Sequence, residues 1–362
     1  MFFQVNLSIL KGFYLTLVIT ISCFLIILNI LDYKYNFLQR NFNSLLERNV
    51  KNLIQEEEIW RKIFLDNSIV NNECFQISYT TVVSLYFPLN RSKHSLTDYS
   101  RWTRTALVSI EAPLVLFTTL RFKEEYTKIR PNNTLYLLYE DHWELLREIE
   151  QERMINYADN YTHKQHSIDP EKNIHVSDLY VLWNSKPYIT AKIARVNPFK
   201  SSFIIYSDLG AWRHPLPIRN WPDNNFVRIL NDRLKQRLLF GQISNVKNET
   251  EVNIGNDHIE GTFFAGSPKA IMSYSNLFYD VHDKRLAEGL FIGKDQTIMN
   301  YIAFKTIPKN YVRLRTLDMH ICNHNKDTRN YYDPWFFYQY YFSVQKLFNC
   351  SYEKRLSILT NL

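Results

Sequence analysis

The chain has 362 residues, 46% of them hydrophobic and 15% aromatic, with eight Gly, which excludes intrinsic disorder and fits one large domain plus an appendage. The formal net charge is +7 and the sequence pI about 9.0, a balance that accommodates anionic partners such as lipid headgroups or nucleotide phosphates. The basic residues are scattered, with no Lys/Arg block of five, so nucleic acid is not an expected partner.

Residues 1–11 read as a short tail. Gly12 to Leu31, GFYLTLVITISCFLIILNIL, carries no charge. At ~1.5 Å per residue such a helix matches a bilayer core of ~30 Å. It is longer than a signal-peptide core and lacks a small-x-small cleavage site, so it is expected to be a transmembrane signal-anchor. Lys11 before it and Lys34 and Arg40 after it leave the orientation undecided by flanking charge. The short tail before the anchor and the large domain after it predict a single-pass type II protein of the secretory pathway, in the Golgi. Sequons at Asn90, Asn132, Asn160, Asn248 and Asn349 agree with a lumenal domain. Cys74, Cys322 and Cys350 allow one disulfide or none.

Residues 32–75 are expected to form a helical stem. Leu38, Phe42, Leu45, Leu46, Val50, Leu53 and Ile54 recur at helical spacing. The stem either self-associates, giving a homodimer, or packs on the domain. The domain itself is placed at 76–362. Its first strand is Thr81–Phe87, followed by a helix over Trp102–Ile110, a strand at 114–119, a further strand near Tyr136–Leu138 and a helix over Glu140–Met154. Strand, helix, strand at this spacing predicts an α/β fold with a mixed, mostly parallel sheet flanked by helices. Such sheets hold ligands at the carboxyl ends of their strands.

Pro187 suits a first helical turn, with Ile189, Ile193 and Val196 on one face and Asn197-Pro198 ending the run. A buried strand FIIYS, 203–207, then runs straight into Asp208 and Gly210. A short helix near Phe226–Gln236, a strand over Glu260–Gly266, a helix from Pro268 to about Lys284 and a helix after Asp295 follow.

Three segments, "NSKPYITAKIARVNPFKSSFIIYSDLGAWR", "IEGTFFAGSPKAI" and "GKDQTIMNYIAF", in this order, resemble the HtrL/YibB family, also described as WlaTC/HtrL glycosyltransferases. "TVVSLYFPLNRS" and "PLVLFTT" are similar to that family's opening. The resemblance covers roughly residues 79–310. It implies a GT-A-like transferase that moves a sugar from a nucleotide-sugar donor to a hydroxyl of a glycan acceptor, in the hexosyltransferase class. The family tends to have Asp-Ala-Gly at the strand end, where this chain has Asp208-Leu209-Gly210. Neither is the Asp-x-Asp of typical GT-A enzymes, so metal dependence stays open. A catalytically inactive lumenal binding or scaffolding protein of the same fold is the alternative.

Transfer from a nucleotide sugar must neutralise a departing diphosphate, which Mn²⁺ or Mg²⁺ can do when held by one or two carboxylates and the phosphates themselves. Asp208 is the candidate metal ligand, and Gly210 would let backbone approach the cofactor. Alternatively Asp208 is an Asx-turn residue with Gly210 as its positive-φ partner. Asp295 is the candidate catalytic base, or the N-cap of the helix it precedes. Arg91 and Lys186 are candidate nucleotide contacts, or solvated surface cations. Glu260 and Gly266 would line the acceptor side. His320 and His324 lie four apart, but ICNHNKDTRN is not helical in pattern, so they read as structural or surface residues. The aromatic run YYDPWFFYQYYF either stacks on a sugar or base or belongs to the core.

Overall fold

The computed structural model describes residues 51–52, 54–67, 76–89, 91, 94–213, 218–306, 310–318, 333–344 and 350–360. Two compact units are present, Met1–Glu58 and Ile59–Leu362. The described residues of the first are helical. Among the described residues no helix is long and apolar enough to cross a membrane. The expected span at 12–31, most of the stem, and His320 and His324 lie outside the described residues.

The second unit is a mixed α/β fold built on one eight-stranded sheet in the order β3-β2-β1-β4-β6-β5-β7-β8. The strands are β1 Thr80–Leu85, β2 Leu114–Thr118, β3 Thr134–Leu138, β4 Phe203–Ser207, β5 Leu238–Gln242, β6 Ile259–Gly266, β7 Tyr311–Arg315 and β8 Leu359–Thr360. β6 pairs antiparallel with both β4 and β5, and β8 antiparallel with β7; the other pairings are parallel. The register sets Val82 beside Leu114 on one side and Ile205 on the other.

The near-continuous apolar runs of β1, β2 and β4 follow from burial on both faces. Val83, Val115, Ile204 and Tyr206 point into one core, with helices His142–Arg153, Ser177–Val196, Pro268–Ala287 and Asp295–Lys305. Val82, Leu116, Phe203 and Ile205 point into the other, with helices Leu96–Ser109, Leu120–Ile129 and Asn224–Leu234. Helix starts carry the expected caps: Ser95 accepts from Asp98 N, Asp141 from Glu144 N and Ser267 from Ala270 N.

The expected domain start at 76 is too late. Ile59 and Ile63 are buried in the first core, and Asn67 hydrogen-bonds both the N–H and the C=O of Tyr136 at 2.9 Å. Asp66 accepts from Leu138 N at 2.7 Å. Two side chains thus cover the free backbone of the edge strand β3. Residues 59–67 therefore pack on the domain, the second of the two expectations for the stem's end.

Pro187 does not start a helix. It lies inside Ser177–Val196, which begins ten residues earlier and is buried over most of its length. Burial on this scale outweighs the lost backbone hydrogen bond. Asn197, in the left-handed region at φ 41°, ends the helix as its sequence implied. Cys350 is disulfide-bonded. The aromatic tail is divided. Phe337, Tyr338, Tyr340, Tyr341 and Phe342 are core, with Tyr338 stacked on Phe263 at 4.6 Å.

Candidate functional site

A cavity of about 490 Å³ opens past the carboxyl ends of β1 and β4, within the size range of small-molecule sites. The residues after β1 (Tyr86 to Leu89), Lys186 from the long helix, Asp208 to Ala211 after β4, and Thr262 at the start of β6 all face it. β6 runs opposite to its neighbours, so its first residues reach the same end as the last residues of β4.

Asp208 stands on this wall, its side chain 23% exposed. The backbone N–H of Asp208 donates to Thr262 O at 3.0 Å, which fixes the chain as it leaves the sheet. The Tyr206 hydroxyl donates to Asp208 Oδ1. Lys186 Nζ donates to Asp208 Oδ2 at 3.1 Å and to Gly261 O at 2.8 Å, and pairs with Asp295 Oδ2 at 2.9 Å. Lys186 is buried, not a surface cation. Burial opposes its charge, yet Asp208 and then Asp295 outweigh it and hold its pKa above the ordinary lysine value. Two carboxylates against one ammonium leave this cluster formally one charge negative.

Asp295 does not reach toward an acceptor. It is the first residue of its helix, not the N-cap, which is Lys294. Its side chain is buried behind Lys186, Oδ1 accepts from Gln296 N at 2.9 Å, and the carboxylate is not on the cavity wall. Burial pushes its pKa up, and Lys186 offsets this only in part. A Cβ on Gly261 would sit 3.0 Å from Asp295 Oδ1, so glycine here makes room for the acid.

Glu260 is also buried rather than on the acceptor side. Thr262 Oγ1 donates to its Oε2 at 2.9 Å, and Oε1 has no hydrogen-bond partner among the described residues. Burial foremost raises its pKa well above the ordinary value; Thr262 opposes the shift, Asp333 and Asp208 add to it, and Lys186 subtracts. An acid whose folded pKa is raised stabilises the fold fully below its unfolded pKa and loses that contribution as pH rises. Glu260→Gln is therefore expected to raise the melting midpoint near neutrality by a few degrees. The gain should vanish toward the ordinary carboxylate pKa, checked by melting both proteins across pH.

The remaining expectations divide. Gly210 lines the cavity, but its φ is not positive. A Cβ there would meet Tyr99 Cε1 at 3.1 Å, so its smallness serves Tyr99 packing. Arg91 is not on the cavity wall. Its Nη2 turns to donate to Asn173 O at 2.5 Å. Gly266 lies at the far end of β6, against Ala270 and Leu238, away from the cavity.

Sequence reasoning missed Arg213. Its guanidinium lies over Trp102 at 4.3 Å and Phe336 at 4.9 Å, and Nε donates to Gly210 O at 3.0 Å. It lines the cavity, held flat by two rings. Its position five residues after Asp208 was the available signal. Asp333, Trp335 and Phe336 join the wall from the chain's last third.

Arg213 can meet an anionic group of a ligand at this wall, whereas Lys186 Nζ already serves Asp208, Gly261 O and Asp295. Among the described residues no group of three or more His, Cys, Asp or Glu is arranged around a metal ion. The donor set nevertheless fits a Mg²⁺ or Mn²⁺ that takes most ligands from phosphates. Asp208 is a partly exposed carboxylate whose oxygens each accept one protein hydrogen bond and keep further lone pairs.

No protein-family model matches the chain, and no curated protein does. Among solved structures, the chain is similar to 4-diphosphocytidyl-2C-methyl-D-erythritol synthase from Anaerococcus prevotii DSM 20548. The identity is 10% and the TM-score 0.26, over 65% of this chain and 87% of that one.

Proposed function

We propose that this chain is a membrane-anchored glycosyltransferase of the HtrL/YibB kind, moving a sugar from a nucleotide-sugar donor to a glycan hydroxyl. The observation that carries the reading is Asp208: a carboxylate at the end of a buried strand, opening into a cavity with Lys186 beneath it. The GT-A-like assignment rests on that placement, on the mixed sheet with helices on both faces, and on the segment resemblance. The apolar run at 12–31 carries the anchor, and the disulfide at Cys350 accords with an oxidising lumen such as the Golgi.

The donor's diphosphate lies against Asp208 and Arg213. A divalent cation held by Asp208 and the phosphates would supply Lewis-acid neutralisation of the leaving group. Lys186 fixes the Asp208 carboxylate, and Asp295 holds Lys186 charged and in place. Arg213, flattened between Trp102 and Phe336, presents its donors to phosphate oxygens.

The test is a thermal shift of the full chain with UDP, GDP and CMP, each with and without Mn²⁺. One nucleotide is expected to raise the midpoint, since saturation at 100-fold over Kd stabilises by ~2.7 kcal/mol. Asp208→Asn should cut that shift by more than half in Mn²⁺ and reduce transfer by roughly 10²–10³-fold. No shift with any of the three would favour the inactive scaffold instead.

A further inference from the structure

We propose that His175 is the general base of this site, taking the proton of the acceptor hydroxyl at Nε2, with Asp169 as its positioning residue. This rests on the transferase reading above. His175 lines the same cavity as Asp208 and Lys186, although no sequence pattern marks it.

The ring is held from several directions. Nδ1 lies 3.0 Å from Asp169 Oδ2, and Asp169 is buried, its side chain 1% exposed. The same Asp169 oxygen accepts from the Tyr180 hydroxyl at 2.5 Å, and its other oxygen accepts from Glu171 N at 2.7 Å. Trp183, itself on the cavity wall, meets the imidazole edge-on at 5.0 Å. His166 Nε2 reaches His175 O at 3.2 Å, and Arg91 ties the loop through Asn173 O.

A carboxylate on Nδ1 sets the tautomer: the proton sits on Nδ1, and Nε2 carries the lone pair. Nε2 has no hydrogen bond among the described residues, its nearest charge being Glu171 Oε2 at 3.9 Å. His175 Nε2 is not one of the buried polar atoms left without a partner among the described residues, so its lone pair is open to the cavity rather than sealed in the core.

The other acids on the wall are committed elsewhere. Asp208 accepts from Tyr206 and Lys186. Asp257 and Glu171 face Lys294 at 2.7 and 3.5 Å. Asp333 caps the turn at Trp335 N. Asp295 lies behind the wall.

The step balances with what the site and donor supply. The acceptor oxygen bonds to the donor's anomeric carbon as the bond from that carbon to the phosphate oxygen breaks. The electron pair leaves on the nucleotide phosphate oxygen, a diphosphate from UDP- or GDP-sugars and a monophosphate from CMP-sugars, and the hydroxyl proton passes to His175 Nε2. The resulting imidazolium is faced by Asp169 and Glu171. The other titratable groups in this cluster are Lys294, Asp257, Tyr180 and His166.

The test compares the full-length wild type with His175→Gln and Asp169→Asn. Two readouts are taken: the nucleotide-induced midpoint shift, and nucleotide release from a panel of UDP-, GDP- and CMP-sugars with a glycan acceptor mixture across pH. His175→Gln should keep the midpoint shift and lose turnover by roughly 10²–10⁴-fold, together with the acid limb of the pH profile. Asp169→Asn should retain the shift and displace the acid limb. A His175→Gln enzyme with turnover within about twofold of wild type and an unchanged acid limb overturns the proposal while leaving the transferase reading intact. A wild type that neither binds nor transfers overturns both.

Should His175→Gln fail to fold, the wild type is treated with diethyl pyrocarbonate and mapped by mass spectrometry. Modification of His175, slowed by the nucleotide that gives the midpoint shift, supports the assignment. An unreactive His175 beside a modified, exposed His163 overturns it.

Discussion

Lys186→Met should lower the unfolding free energy by about 3–5 kcal/mol, the usual consequence of removing one partner from a buried ion pair. The ammonium side chain is 4% exposed and answers both Asp208 and Asp295, the latter also 4% exposed. Methionine keeps most of the volume, so the loss reports charge rather than a cavity. Asp295 already has a pKa raised by burial, so its contribution to stability fades as pH rises. Without Lys186 that fading steepens, and the deficit should shrink on acidification toward the ordinary carboxylate pKa. Adding Asp295→Asn should restore part of the loss. Denaturant titrations of the single and double variants across pH check this, and a pH-independent deficit would remove the charge explanation.

Gly241→Ala should destabilise the fold by about 1–3 kcal/mol, the range for overpacking a filled interior. A Cβ at that position would lie 2.0 Å from Glu260 Oε1 and 2.7 Å from its Cδ and Cγ. Glu260 is fully buried, and its Cγ and Cδ as well as its carboxylate tip lie in the way. The φ of Gly241 is not positive, so the backbone itself tolerates alanine. Glu260→Ala in the same chain should therefore cancel most of the Gly241→Ala cost. A double-mutant cycle measures the coupling; additive losses would show that the clash is not with Glu260.

Much of the sheet was legible because burial on both faces leaves plain apolar runs, as at TVVSL, LVLFT and FIIYS. Other elements were hidden by their chemistry. The helix Leu120–Ile129 buries only Tyr126, so LRFKEEYTKI shows little apolar face. β7, YVRLR, buries Arg313 against Phe304 and Glu249 and so reads as polar. β5 contains the glycine that Glu260 requires, which breaks its pattern. Pro187 misled the helix start because propensity was set aside by packing around it.

At the site, Asp208 was visible because a charge after a buried strand needs a reason, whereas Lys186 and Asp295 were singled out as a nucleotide contact and a base and turn out to be buried partners of one another. That partnership spans the gaps from 186 to 208 and to 295, which only the sheet closes. Arg91 and Gly266 were misplaced because sequence distance from a strand end does not tell which way a side chain turns. His175 escaped notice altogether, as its geometry comes from a turn without periodicity.

The reversed direction of β6 has a further consequence. The link from β5 to β6, residues 243–258, begins and ends at the cavity's end of the sheet, and Asp257 in it already borders the opening. Val252 in this connection is core and Asn300 holds Ile254 O and Asn256 O, so its anchored part is fixed and only its exposed residues are free to vary at the opening. Changes confined to its exposed residues are expected to alter what the opening admits while Lys186, Asp208 and Asp295 keep their contacts.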